Sequence, residues 1–342
     1  MRLILFSLIL FLAQIVNAEE KILNVYCWAD FLPSAVVEQF QKETGIKVFL
    51  SDYENNETLF AKLILSKKAN YDVVFPSSYF VQKMKKAKLL QQIDKNQLHN
   101  FKHLDHKFLN KNFDPGNKYS IPYLWSTVGI LVNKRYHDPN KIKAWKDLWS
   151  PKFKNQILLL NEPRDVFTIA MLVLQHSVNT QEPTHIQEAY EKLLKLLPNV
   201  RIFNTATIPN VYIDEDITIG MSYSGEAYHG MQENGDLVYI YPEEGFPLAL
   251  DCMSIPTSAK HPSNAHRFIN FLLRPDISVK LTSHTGVGTP NKTASQQLPE
   301  KIRNNPVINP SQEILKRGKF QLDIEDANAL YEKYWELLKV SA

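Results

Sequence analysis

From Ile22 onward the chain alternates short β-branched runs with amphipathic helical stretches, and this alternation constrains the fold more than any other feature. Ile22 to Trp28 reads as a strand. Ser34 to Thr44 then places Val36, Val37 and Phe40 on one helical face, and Gly45 supplies a left-handed stop. Lys47 to Tyr53 is the next strand. Asn56 caps a helix predicted to run through Lys68 with Leu59, Phe60, Leu63 and Ile64 inward, and Tyr71 to Phe75 is a buried strand followed by a helix from Ser77. Three β-α units in succession predict a parallel sheet.

Regularity lapses between Asn100 and Tyr119 and resumes with a strand from Thr127 to Asn133. A second set follows: a strand from Gln156 to Leu160, helices from Arg164 to Val178 and from His185 to Leu197, and strands from Ile217 to Ser224, Leu237 to Tyr241 and Leu250 to Ile255. A helix from Ser263 to Leu273 stops at Arg274-Pro275. The 342 residues, 44% of them apolar, can bury two cores, so the expected fold class is α/β with two lobes and a crevice between them.

Ahead of this lies Met1-Arg2, an apolar run from Leu3 to Val16 and small residues ending at Ala18. A run of about 14 is short of the roughly 20 that span a bilayer, so residues 1–18 read as a cleaved secretory signal. Cys27 and Cys252 would then meet an oxidising compartment, where a disulfide and two buried thiols are both open readings.

Several classes of function are poorly served. With 39 basic against 36 acidic side chains and no single-sign tract, the chain offers no phosphate-tracking face for nucleic acid. Nucleophile-elbow, zinc-protease, P-loop and dinucleotide motifs are missing, so the chain is not expected to be an enzyme or to need a cofactor. His99, His103 and His106 would share a helical face and suit Zn²⁺, but their setting reads better as a solvated loop or short helix. Lys83, Lys85, Lys86 and Lys88 complement a helix end, with a docking surface as the alternative.

The ends of predicted strands are more informative, because ligands of open α/β sheets sit at the carboxyl ends of strands. One strand ends in Trp28-Ala29-Asp30-Phe31, another in Asn161-Glu162-Pro163-Arg164-Asp165, a third in Tyr223-Ser224-Gly225-Glu226. Aromatic rings with carboxylates suit an organic ammonium, whose methylenes the rings cover while the acids meet its charge. Each piece alone also reads as core packing or as acids at a helix start.

The segments Leu23-Asn24-Val25-Tyr26-Cys27-Trp28, Glu43-Thr44-Gly45-Ile46-Lys47-Val48, Tyr53-Glu54-Asn55-Asn56-Glu57-Thr58, Tyr71-Asp72-Val73-Val74-Phe75-Pro76-Ser77, Tyr119-Ser120-Ile121-Pro122-Tyr123-Leu124-Trp125, Phe268 to Asp276 and Thr289-Pro290-Asn291 together resemble the periplasmic spermidine/putrescine-binding proteins of ABC importers. The resemblance runs over the whole exported chain. It implies the two-lobed type II periplasmic binding protein fold, with residues 19–126 plus 250–295 in one lobe and 127–249 plus 296–342 in the other. It also implies a monomer that is not membrane-embedded once exported to the periplasm, a small polyamine as ligand, and ABC permease subunits as partners. Carried over, Trp28 and Tyr79 flank the ligand's aliphatic stem, Ser77 is a polar contact, and Asp30 takes a terminal ammonium. Glu162, Asp165 and Asp251 meet the other nitrogens, Tyr223 takes a stacking position, and Gln321 supplies a hydrogen bond. The resemblance also marks departures: Phe31 stands for a Tyr, Ala249 for a Trp, Val287 for a Tyr, and Glu226 matches the carboxylate of putrescine-selecting relatives. Another cationic solute, or a polyamine sensor, would suit the same fold. An exported hydrolase using paired carboxylates fits less well, and ferric iron is disfavoured because no two tyrosines adjoin.

Overall fold

The computed structural model describes residues 20–65, 70–205 and 207–342, so the expected signal segment lies outside the described residues. The first units form as their patterns require: β1 (Ile22–Trp28), α1 (Ser34–Thr44), β2 (Lys47–Tyr53), α2 (Asn56–Leu65), β3 (Val73–Val74) and α3 (Ser78–Lys86). The three strands make a parallel sheet in the order β2-β1-β3. Gly45 ends α1 at φ 68°, and its N–H closes on Gln41 O, as a left-handed cap does.

Two details depart from expectation. The side chain that caps α2 is Asn55, whose Oδ1 accepts from the Thr58 N–H at 2.8 Å, while Asn56 turns inward and is buried. Ile64, expected inward, is 48% exposed, because only Leu59 and Leu63 of its helix reach the core. Lys68 lies outside the described residues.

The strand expected from Thr127 begins at Ile121, and β4 (Ile121–Asn133) is buried along all thirteen residues. Pro122 falls inside this strand, and the ladder absorbs it with a register shift before Leu124. Then come β5 (Ile157–Leu159), α4 (Pro163–Val173), α5 (Pro183–Leu194), β6 (Val200–Phe203), α6 (Ile208–Ile213), β7 (Ile219–Tyr223), α7 (Ser224–Glu233), β8 (Leu237–Ile240) and β9 (Phe246–Met253). After α8 (Pro262–Leu272) and α9 (Pro275–Thr285), a run of short helices leads to β10 (Gly318–Phe320) and α10 (Asn328–Val340). The pattern gave no warning of β6, β10 or α10.

A second sheet runs β10-β9-β4-β7-β5-β6, with β8 also paired to β4. Two of its strands serve two cores. Ile121, Tyr123 and Leu124 of β4 pack with β1, α1 and α8, whereas Val128, Ile130, Leu131 and Val132 pack with α4, β5 and β7. β9 makes the same passage, from Phe246 in one core to Cys252 and Met253 on the other side. The two lobes are thus joined by strands that run through both.

Cys27 and Cys252 are buried free thiols. His99–His103 is a short 3₁₀ turn in which His103 Nδ1 meets Thr293 Oγ1 at 3.0 Å, and no metal-ligating cluster forms among the described residues. The lysine cluster is largely engaged: Lys85 pairs with Asp114 at 3.3 Å, Lys86 with Asp323 at 3.0 Å and with Glu325, and Lys83 lies over Phe60 and Phe80.

Candidate functional site

β1 delivers Trp28 to the carboxyl edge of the first sheet. There the indole Nε1 donates to Phe75 O at 2.8 Å, and the ring lies 4.8 Å from that of Tyr53, whose hydroxyl donates to the same carbonyl at 2.7 Å. Phe31 leans on Trp28 at 6.5 Å, and its carbonyl accepts from the Tyr123 hydroxyl at 2.6 Å. Between them Asp30 is exposed and takes φ 59°, a left-handed turn that Asp tolerates better than bulkier residues do.

Ser77 precedes α3 without capping it. Its hydroxyl instead donates to Asp251 Oδ1 at 2.7 Å, and the two residues form a backbone bridge between the lobe's first sheet and β9. Asn56 braces this arrangement: its Oδ1 accepts from Ser77 N at 3.1 Å, and its Nδ2 donates to Ser77 Oγ at 3.2 Å and to the Tyr79 hydroxyl at 3.3 Å. Burial pushes the Asp251 carboxyl up to about 7, against the pull of the Ser77 and Trp28 donors.

The facing group grows from the other core. Pro163 starts α4 with its fixed φ, which leaves Glu162 just ahead of the helix and Asp165 in its first turn. Asp165 is buried and receives two donors, the Tyr223 hydroxyl at 3.1 Å and Gln321 Nε2 at 2.9 Å, the latter also reaching Thr168 Oγ1 at 3.4 Å. Burial still raises Asp165 to about 6, because the Tyr223 and Gln321 hydrogen bonds offset only part of the desolvation. Glu162 goes higher, to about 8, by burial and by repulsion from Asp165 and Glu57. Glu226, in the first turn of α7, is raised by burial and by Asp30 across the opening.

The structure therefore gathers the predicted residues into two facing sets: Trp28, Asp30, Phe31, Ser77, Tyr79 and Asp251 on one side, and Glu162, Asp165, Tyr223, Glu226 and Gln321 on the other. Tyr79 sits within the field of Glu162 and Asp165, which helps burial to hold its hydroxyl far above its ordinary range. Where aromatics are expected, Ala249 pairs with Ser126 on β4, and Val287 packs so closely on Gly225 that a Cβ there would meet it at 2.7 Å. Sequence reasoning missed Asn56, Tyr53 and Arg164 as parts of the site. The tandem Asn55-Asn56 was the available signal, since one cap needs only one asparagine.

Three buried or half-buried acids, each raised by desolvation, with rings beside them, form a place that a multivalent organic cation would neutralise. Comparison with known proteins points the same way. The family described as bacterial extracellular solute-binding protein matches residues 35–310. The spermidine/putrescine-binding periplasmic protein of Salmonella typhimurium is 42% identical over 322 residues, covering 94% of this chain and 92% of the relative. The putrescine-binding periplasmic protein PotF of Escherichia coli is 31% identical, over 90% of this chain and 88% of its own length. Among solved structures, the spermidine/putrescine ABC transporter substrate-binding protein PotD of Streptococcus pneumoniae superposes with a TM-score of 0.84 at 32% identity, covering 94% of this chain and 99% of that one. With its two joined lobes, its facing acid sets and these relatives along nearly its full length, the chain belongs to the bacterial extracellular solute-binding proteins and, among them, to the family of the spermidine/putrescine-binding periplasmic proteins.

Proposed function

We propose that the chain captures a polyamine, putrescine or spermidine, in the cleft between its lobes in the periplasm and hands it to the permease of an ABC importer. One observation carries this reading: buried Asp251 and buried Asp165 come from opposite lobes, each already holding neutral donors and each flanked by aromatic rings. Such acids call for ammonium groups, and the rings suit the methylenes between them. The names of the relatives support the same ligand class.

In this reading Trp28 and Tyr79 cover the aliphatic stem, with Phe31 and Tyr223 at its margins. Asp251 with Ser77 takes one ammonium, Glu162 and Asp165 with Gln321 take another, and Asp30 with Glu226 meets a terminal nitrogen at the opening. The lobes comprise 19–126 with 250–295 and 127–249 with 296–342, and the exported chain acts as a monomer after loss of residues 1–18. Since the chain carries a formal charge of only +3, long-range steering cannot recruit a cation, and attraction is local to the acids. Closure follows neutralisation: without ligand, several desolvated carboxylates repel, and the ligand's charges remove that cost.

Isothermal titration of refolded, ligand-stripped protein with putrescine, spermidine and spermine tests the proposal. Micromolar or tighter binding of putrescine or spermidine is expected, and the rank order reports how far Ala249 and Val287 have loosened the end that longer polyamines occupy. Absence of binding to all three would overturn the ligand assignment and leave the family membership standing.

A further inference from the structure

Arg164 stands between Glu162 and Asp165 in sequence, yet neutral groups hold its guanidinium. It is 6% exposed. Nη1 donates to Leu322 O at 3.2 Å, Nη2 donates to Asn179 Oδ1 at 3.3 Å, and its central carbon lies 5.7 Å from the Tyr79 ring and 5.6 Å from the Tyr331 ring. Asn179 grips the same segment, accepting from Leu322 N at 2.8 Å and donating to Phe320 O at 2.9 Å. Gln321 lies between these anchored residues. Arg164 and Asn179 together therefore fix where Gln321 stands when it reaches Asp165.

The other end of the guanidinium leads into the opposite lobe. Tyr79 belongs to α3, whose Val81 and Met84 pack in one core, whereas Val166, Phe167 and Tyr331 around Arg164 pack in the other. Tyr79 is tied through Asn56 to Ser77, and Ser77 to Asp251. An unbroken string of contacts, Asp165, Gln321, Leu322, Arg164, Tyr79, Asn56, Ser77 and Asp251, thus joins carboxylates from the two lobes, and the contact of Arg164 with Tyr79 is where it crosses. Nearer the surface the same junction is crossed again, where Asp323 N donates to Gln82 Oε1 at 3.3 Å and Lys86 pairs with Asp323.

We infer that Arg164 is a positioning residue that clasps the closed lobes, holding Gln321 on Asp165 and Tyr79 over the stem while itself touching no ligand. The inference rests on the polyamine reading of the cleft and adds to it the residue that sets how long the ligand stays. A clasp made only in the closed form acts on release, so its loss raises the dissociation rate and leaves encounter nearly unchanged.

The test is stopped-flow tryptophan fluorescence with spermidine and putrescine, alongside titration for stoichiometry. Arg164→Met is expected to keep one-to-one binding, associate within threefold of the unaltered protein and release at least tenfold faster. Arg164→Lys, which keeps the charge over Tyr79 but loses the planar fork, should fall between. Combining Arg164→Met with Tyr79→Leu should cost less than the two separate losses together, because both remove one contact. Release by Arg164→Met within twofold of the unaltered rate, or an affinity loss wholly explained by a smaller binding-competent fraction, would overturn the clasp alone. If Arg164→Met does not fold, Arg164→Lys decides by the same rates. Failure of the unaltered protein to bind either amine would instead overturn the polyamine reading, and the clasp with it.

Discussion

Asp251 and Asp165 solve one electrostatic problem in the same way. Each is buried, and each keeps hydrogen-bond donors that blunt the cost of ionisation without removing it. If they are the ligand's carboxylates, Asp251→Asn and Asp165→Asn should each weaken polyamine binding by about 2 kcal/mol, about thirtyfold, with the melting temperature held or raised. Titration with spermidine checks the first part and calorimetric unfolding the second; unaltered affinity in both variants would dismiss the pair as ligand groups. The sign of the pH effect follows from the upward shifts to about 6 and about 7. A cation favours the ionised acid, so binding expels protons, and affinity should climb between pH 5.5 and 8. Titrations at pH 7 in buffers of different ionisation enthalpy should detect that release, and zero net proton exchange would contradict it. Asp251, inside β9, was placed by the family resemblance alone, whereas Asp165 was legible in the sequence because it follows the end of a strand. Arg164 was not, since a charged residue in a first helical turn usually faces water, and only tertiary packing shows it between two tyrosines.

At the scale of the element, α2 shows two neighbouring asparagines doing separate work. Asn55 caps the helix, and Asn56, one residue later, faces the interior and braces Ser77 and Tyr79. Asn55→Ala should cost about 1 kcal/mol of stability with polyamine affinity unchanged. Asn56→Ala should weaken affinity by about tenfold, because Ser77 loses the partners that hold it on Asp251 and a buried N–H is left unmet. Thermal unfolding and titration of both variants separate these outcomes; equal affinities would show that Ser77 needs no brace. The parallel β-α units were readable because each strand and helix carries its own period and stop. β4 was only half readable, since Pro122 masks a strand whose ladder tolerates it by slipping register. The three-residue β10 is too short to carry any period, and its place is set by pairing with β9.

The whole molecule is two lobes threaded by β4 and β9, so any force acting across the cleft acts on a hinge made of continuous strands. Carboxylates face one another there from both lobes: burial raises Glu226, Glu162 and Glu332 first, and Asp30 adds to the rise of Glu226, Asp165 and then Glu57 to that of Glu162, and Glu57 to that of Glu332, with Arg164 and Lys83 the nearby cations that pull the other way on Asp165 and Glu332. Acids whose protonation is favoured only when the lobes are together give the closed form more bound protons than the open form. Closure of the ligand-free protein is therefore favoured at low pH, where Glu162, Glu226 and Glu332 hold their protons, and lost as pH rises through about 8, the value to which Glu162 is raised, while Asp165 and Asp251 keep their own shifts through burial and donors within their own lobes. With polyamine bound, its ammonium groups replace those protons, and closure should persist across the same range. Small-angle scattering at pH 5 and pH 8 makes the comparison directly: the ligand-free radius of gyration should grow with pH, while the spermidine-saturated radius should stay small at both. An identical ligand-free radius at the two pH values would mean that repulsion between the facing acids does not hold the cleft open. The resting posture would then be set by the bending of β4 and β9 alone.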